Sequence, residues 1–318
     1  MSDSTDYTMV YRIAKSYYLD GMSQQQISKR ENISRPHVSR MLSKARECGI
    51  VSIQVEMPQR LRMPKLQDEV CRCLGLKEVI LVSVPEERKL SKTDISLNIA
   101  TAAAEYLPGL LEDSGRVGIG WGFTMYQTSL LLPHTDSSST MTFVPLIGIS
   151  GENSPYLQIN VIVNRFAEKF GASSFYTNIP VLRESSSMTP EHERDARLET
   201  LWDTLDAAII GLGPPFKQGE FLVSDVSCEY KESIAQSDLV GDILANFFDT
   251  AGNVFDSSAY YEHFSLPLSR LRSIQNVICL AGGDDKADGI IAAARNGFIR
   301  TLITDSSTAK TILAKLSA

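Results

Sequence analysis

Five short segments of this 318-residue chain set glycine beside polar side chains in a pattern suited to small anions and hydroxylated ligands. The first is Gly118-Ile119-Gly120-Trp121-Gly122-Phe123-Thr124-Met125. Its glycines let the backbone approach an anion, the helix that follows offers free amides and the positive end of its dipole, and Thr124 adds a hydroxyl. Any tight strand-to-helix turn also uses glycine, so this segment alone does not decide the matter. Pro145-Leu146-Ile147-Gly148 and Gly211-Leu212-Gly213 are the second and third. In the fourth, Val240-Gly241-Asp242-Ile243, an acid stands near the start of a predicted helix over 238 to 248, apolar at Ile243, Leu244, Phe247 and Phe248. Asp242 has two readings there, an acceptor for sugar hydroxyls or a helix cap. In the fifth, Ala281-Gly282-Gly283-Asp284-Asp285-Lys286, paired glycines end a strand and a lysine opens a helix. Lys286 is placed either to reach a phosphate or an oxidised sugar carbon, or to lie in solvent.

A different chemistry is written near the N-terminus. From Val10 to Ile50 eight basic residues face three acidic ones, a net of +5; with −7 overall, the rest of the chain carries −12. Only this stretch could present a face to the phosphates of a nucleic acid. Val38, Met41, Leu42 and Ala45 repeat at helical spacing and form one apolar stripe. At 100° per residue His37, Ser39, Arg40, Ser43 and Lys44 then point away from it, while Arg35 projects from the first turn. With Gln24 at the start of the preceding helix, Arg35, His37, Ser39, Arg40 and Lys44 are the candidate DNA contacts. An ordinary three-helix bundle with a solvated basic face is the plainer alternative.

These residues need elements to position them. Val10, Ile13, Ala14, Tyr17 and Tyr18 predict a first helix closed by Asp20-Gly21; Ser23 and Gln26 form a capping box for a second; Ser34 caps a third, with Pro36 in its first turn. Two helices joined around Asn32, the second basic outside, make the unit that fits a major groove. The alternating segment 50–55 predicts a strand, either a wing or a link onward, and Pro58 and Pro64 bracket a linker. From Leu66 the chain alternates. Apolar runs at 79–84, 117–121, 141–147, 207–212, 277–281 and 301–304 read as buried parallel strands. Helical patterns lie near 94–107, 123–132, 158–170, 190–203, 238–248, 285–296 and 305–317. The expected fold is α/β: a helix-turn-helix domain, winged-helix-like, over 1–57, then a doubly wound sheet over 58–318 that binds ligands at the carboxyl ends of its strands.

Composition narrows the classes. Apolar residues make up 43% of the chain, no run is long enough to cross a bilayer, and MSDSTDYTMVYR lacks the regions of a signal peptide, so a cytoplasmic protein is expected. Cys48, Cys71, Cys73, Cys228 and Cys279 are odd in number and hold no metal or redox spacing, so reduced thiols are expected, with no metal and no cofactor. Of the four histidines, His37, His134, His192 and His263, none sits in a motif that supplies a general base.

The chain resembles the SorC family of bacterial sugar-metabolism regulators over nearly its whole length. The segments that carry this are QQQISKRENISRPHVSRMLSKARECGIV, GIGWGFTM, PLIG, GLG, VGDI with FFD after it, and AGGDDKADGIIAA with LITD. The resemblance implies an effector domain like sugar phosphate isomerases and glucosamine phosphate deaminases, used for sensing. It further implies a homodimer or homotetramer whose hold on operator DNA changes with a small sugar, sugar phosphate or polyol effector. Carried over residue by residue, it assigns Gly122, Phe123 and Thr124 to the phosphate side, Gly148 to the opposite wall, and Asp242 and Lys286 to the sugar end. Glu31 and Asn32 stand where the family usually has an apolar residue and glycine, and Ile149 replaces a frequent second glycine. The alternative is an isomerase- or deaminase-type enzyme, in which Lys286 near Asp242 would form a Schiff base.

Overall fold

Short polar side chains start the first three helices. Asp6 accepts from the Thr8 and Met9 amides to begin α1 (Tyr7–Tyr18). Ser23 and Gln26 complete the capping box of α2 (Gln24–Glu31), and Ser34 accepts from the His37 amide at the head of α3 (Arg35–Glu47). Asn32 takes the left-handed conformation, φ 53°, that ends α2 and turns the chain. Ile13, Ile27, Val38 and Leu42 form one small buried cluster of this unit, and Val10, Ala14 and Ala45 another.

The computed structural model describes residues 6–51, 63–84, 90–135, 140–150, 157–184, 196–215 and 226–317. The chain divides into two compact units, Met1–Pro58 and Gln59–Ala318. The expected wing over 50–55 lies outside the described residues from Ser52 onward. Ile50 and Val51, at its start, pack on the second small cluster. Pro64, read above as part of a linker, is instead the first residue of a helix, where its missing amide proton is no loss.

In the larger unit helices and strands alternate as α4 (Pro64–Leu74), β1 (Glu78–Val82), α5 (Lys92–Leu110), β2 (Arg116–Ile119), α6 (Phe123–Leu131), β3 (Thr142–Pro145), α7 (Ile159–Phe170), β4 (Ser173–Ser174), β5 (Leu182–Glu184), α8 (Ala196–Trp202), β6 (Ala207–Gly211), α9 (Cys228–Ala235), β7 (Gly241–Ile243), β8 (Asn246–Phe248), β9 (Tyr261–His263), α10 (Leu268–Leu271), β10 (Asn276–Leu280), α11 (Ala287–Arg295), β11 (Thr301–Asp305) and α12 (Ser306–Ser317). Seven strands form one parallel sheet in the order β1-β11-β10-β6-β2-β3-β4. Its central strands are nearly all apolar because both faces are covered. From β2 the chain winds one way, to β3 and β4; from β6 it winds the other, to β10 and β11. The winding therefore reverses between β2 and β6, the place where open α/β sheets leave a crevice at their carboxyl ends.

One expected helix is absent. Residues 241–248 form an antiparallel hairpin, β7 against β8, and Asp242 sits on its first strand instead of capping a helix. Ile243, Leu244, Phe247 and Phe248 are all buried. With both sides of the hairpin covered, the alternation of a half-exposed strand is lost, and a short apolar run fits either period. Its turn holds Leu244 and Ala245 at φ 54° and 60°, the left-handed values that two-residue hairpins favour. The Asn246 side-chain amide stabilises that turn by donating to the carbonyls of Ile243 (3.2 Å) and Leu244 (3.0 Å) and to Ser265 Oγ (3.0 Å).

Candidate functional site

On α3 the apolar stripe Val38, Leu42 and Ala45 is buried, which turns Arg35, Ser39 and Arg40 fully outward and leaves Gln24, His37 and Lys44 at the edges of that face. The cations of the unit divide into two groups. Glu31, its side chain only 10% exposed, pairs with Arg12 of α1 (2.7 Å) and with Arg30 (3.1 Å), and Arg30 also donates to Ser16. Those arginines tie α1 to α2. Lys44 lies 3.7 Å from Glu47. Arg35 and Arg40 have no ion pair among the described residues, so their charge is available to an external phosphate or base edge.

The crevice between β2 and β6 is a cavity of about 180 Å³ lined by Gly122, Phe123, Thr124, Asp242 and Lys286 together with Ser96, Trp121, Met125, Gly211 to Pro214, Leu244 and Leu280. Gly122 precedes α6 with φ 118° and no side chain caps the first amides of the helix, whose opening residues Phe123 to Met125 line the cavity. A small anion there meets several N–H donors and the favourable end of the helix dipole.

Gly213 and Asp242 bring the hairpin to this opening. The Gly213 amide donates to the Asp242 carbonyl at 2.9 Å, and a Cβ on Gly213 would collide with the Asp242 carboxylate. Burial pushes the Asp242 carboxyl up to about 6, against the opposing pull of Lys286 and of the Ala245 amide. Burial also holds the Lys286 ammonium below its ordinary range, with Cys279, Asp242 and Asp285 acting in the other direction. Asp285 is drawn aside by Lys92 at 3.1 Å, and Lys286 makes no ion pair among the described residues. A recess with amide donors, a carboxylate and a partly desolvated cation is chemically suited to a small, hydroxylated anion.

Asp305, at the end of β11, fixes the turn that carries Lys286. Fully buried, it accepts from the amides of Ser307 and Thr308 (2.9 Å each), from the Thr308 hydroxyl (2.5 Å) and from the Gly283 amide (3.1 Å).

A family model described as "Putative sugar-binding domain" matches residues 60–314. The sorbitol operon regulator of Klebsiella pneumoniae is 27% identical over 98% of this chain and 100% of its own length. This chain belongs to the SorC family of transcriptional regulators. Two further similar regulators are LsrR of Escherichia coli (strain SMS-3-5 / SECEC), 30% identical over 96% of this chain and 94% of LsrR, and the deoxyribonucleoside regulator of Bacillus subtilis (strain 168), 28% identical over 95% of this chain and 96% of that one. The crystal structure of full-length SorC from K. pneumoniae matches with a TM-score of 0.70 at 26% identity, covering 98% of this chain and 100% of SorC.

For this SorC-family chain one expected site residue falls elsewhere. Gly148 does not line the cavity. A Cβ there would collide with the Ile179 carbonyl and lie 2.7 Å from the Val181 amide, and its own amide donates to the Phe264 carbonyl at 2.9 Å. The glycine allows two backbone segments to cross, a packing role. Ser96 and Pro214 line the cavity with no mark in the sequence, and Trp121 and Leu244, visible there only as apolar neighbours of marked residues, line it too. Asp305 had a signal: an acid followed by Ser306, Ser307 and Thr308 is the pattern of a helix start. Among the described residues no helix is long and apolar enough to cross a membrane, and no cluster of metal-ligating side chains occurs.

Proposed function

We propose that this SorC-family regulator binds operator DNA through Gln24, Arg35, His37, Ser39, Arg40 and Lys44, and that a phosphorylated sugar or polyol in the switch-point cavity sets its affinity. The meeting of Gly122 to Thr124 with Asp242 and Lys286 in one cavity carries the reading. The uncapped α6 N-terminus takes the anionic end, and Asp242 and Lys286 take hydroxyl or carbonyl oxygens at the other. Regulators named for sorbitol and for deoxyribonucleosides are among its relatives, which favours a polyol or pentose derivative. The protein acts as a homodimer or homotetramer, because one recognition helix reads too few base pairs and two half-sites about a helical turn apart double the readout.

Sensing is favoured over turnover. No histidine lines the cavity among the described residues, and the curated relatives are regulators. Calorimetry with a panel of sugar and polyol phosphates tests the assignment. The expected result is one ligand that binds the parent and is weakened at least tenfold in Asp242→Ala and in Lys286→Ala. Unchanged affinity in both variants would place the effector elsewhere, and consumption of the ligand would establish an enzyme.

A further inference from the structure

Helix α6 is built with its polarity reversed. Thr128 and Ser129 are fully buried, and each is satisfied on the helix itself: the Thr128 hydroxyl donates to the Thr124 carbonyl at 2.8 Å and that of Ser129 to the Tyr126 carbonyl at 2.6 Å. Phe123, Leu130 and Leu131 point outward instead, each 37–42% exposed. A surface helix in contact with water places these residue types the other way round. At 100° per residue Phe123, Gln127, Leu130 and Leu131 share one outward face. No residue of α6 carries a charge, although charged side chains make up 22% of the chain.

The neighbouring helix α5 packs along α6 and extends this surface. Its exposed Leu97 follows Ser96, which lines the switch-point cavity together with Phe123. Thr101, one turn on, donates its hydroxyl to the Leu97 carbonyl at 2.9 Å. Among the described residues Leu97, Phe123, Leu130 and Leu131 are the only exposed leucines and phenylalanines of the larger unit. Charge enters beyond them, with opposite signs: Glu105 stands one turn after Thr101, and the Arg165 guanidinium of α7 lies over the Tyr126 ring at 5.7 Å. A contiguous apolar surface with a polar rim marks a protein contact. The charge of the chain selects the partner. Outside Val10 to Ile50 it sums to −12, so a copy that approaches another through charged surface meets like charge. The α6 face carries none, and an uncharged apolar face is complementary to itself, as a two-fold contact requires.

We propose that the outward face of α6, formed by Phe123, Gln127, Leu130 and Leu131 with Leu97 of α5, is where a second copy of this chain docks. This rests on the reading above that the protein is an oligomer and gives that oligomer a contact surface. Phe123 belongs both to the face and to the cavity, so the same helix would meet the effector at its first turn and the second copy along its length.

The test is sedimentation velocity of the full-length chain at micromolar concentration without DNA. The parent is expected as a dimer or tetramer. Leu130→Glu combined with Leu131→Glu should lower its mass at least twofold, because an unpaired carboxylate resists burial in a contact. Gln127→Glu, which adds one charge to the same face with almost no change of shape, should weaken the association at least tenfold. Val254→Glu places the same charge on an exposed apolar residue outside α5 and α6 and should leave the association unchanged. Thermal melts verify that the variants fold. A monomeric parent overturns the oligomer reading and this contact with it. An oligomeric parent whose mass is unchanged in both α6 variants, or equally lowered by Val254→Glu, overturns the contact alone; in the first case the face belongs to a different partner.

Discussion

The outward face of α3 and the switch-point cavity, the two places proposed for recognition, are built in opposite ways. On α3 the proposed DNA contacts are side chains that point outward because a three-residue stripe is buried behind them. In the cavity the groups proposed to meet a ligand are largely backbone: the helix start at Gly122 to Thr124 and a hairpin seated on Gly213. A surface of side chains is read from periodicity. A recess of backbone is read only once the order of strands is known, because β2, β6 and β10 come together from widely separated parts of the chain.

The comparison makes the two functions separable by mutation. The largest effect is expected from Arg35→Ala with Arg40→Ala. Each base-edge interaction is worth about 1–3 kcal/mol, so operator affinity should fall by roughly a hundredfold or more, and removing an arginine that pairs with a phosphate should flatten the salt slope by about one unit. Fluorescence anisotropy at several salt concentrations measures both, and effector binding should be untouched.

Asp242→Asn sharpens the cavity side. The folded chain holds the Asp242 proton up to about pH 6, while the unfolded carboxyl releases it near 3.8. The stability linked to that proton is therefore complete below about pH 4 and is lost as pH rises through about 6. The asparagine variant escapes this loss, so its melting temperature relative to the parent should rise between pH 4 and pH 7. The gain is worth at most about 3 kcal/mol. Parent effector affinity should decline below about pH 6 as the carboxylate is protonated. A melting difference that does not vary with pH would remove Asp242 from the buried site described here.

Gly213→Ala should cost about 1–3 kcal/mol by overpacking and displace Asp242. Differential scanning calorimetry and effector titration would show both, with DNA binding of the effector-free protein retained. The smallest effect is expected on the other side of the comparison. Glu31→Gln releases Arg12 and Arg30 and should lower the stability of the N-terminal unit by about 1 kcal/mol, read from urea melts.

What the sequence made legible follows the same division. The caps at Ser23 and Ser34, the stripe on α3 and the left-handed Asn32 all follow from local chemistry within a few residues. The buried strands at β2, β6 and β10 were visible as apolar runs, and Gly122, Asp242 and Lys286 were marked by type. The hairpin at 241–248 was hidden because its turn uses Leu244 and Ala245, residues with no turn signal, and burial on both sides erased its alternation. The role of Glu31 as a clamp for two arginines, and the packing role of Gly148, depend on segments distant in sequence. Two of the eight cations in the basic N-terminal stretch, Arg12 and Arg30, are engaged in internal pairs that a count of charges does not reveal.

The central claim is that a ligand at Gly122 to Thr124, Asp242 and Lys286 changes the hold of α3 on DNA. The most direct test is an operator titration of the parent and of Lys286→Ala, each with and without the effector found by the phosphate panel. The account predicts a shift in parent operator affinity; a hundredfold change corresponds to about 2.7 kcal/mol of coupling. It also predicts no shift in Lys286→Ala, whose effector-free operator affinity matches the parent. An equal shift in both proteins, or none in the parent at saturating effector, would contradict it.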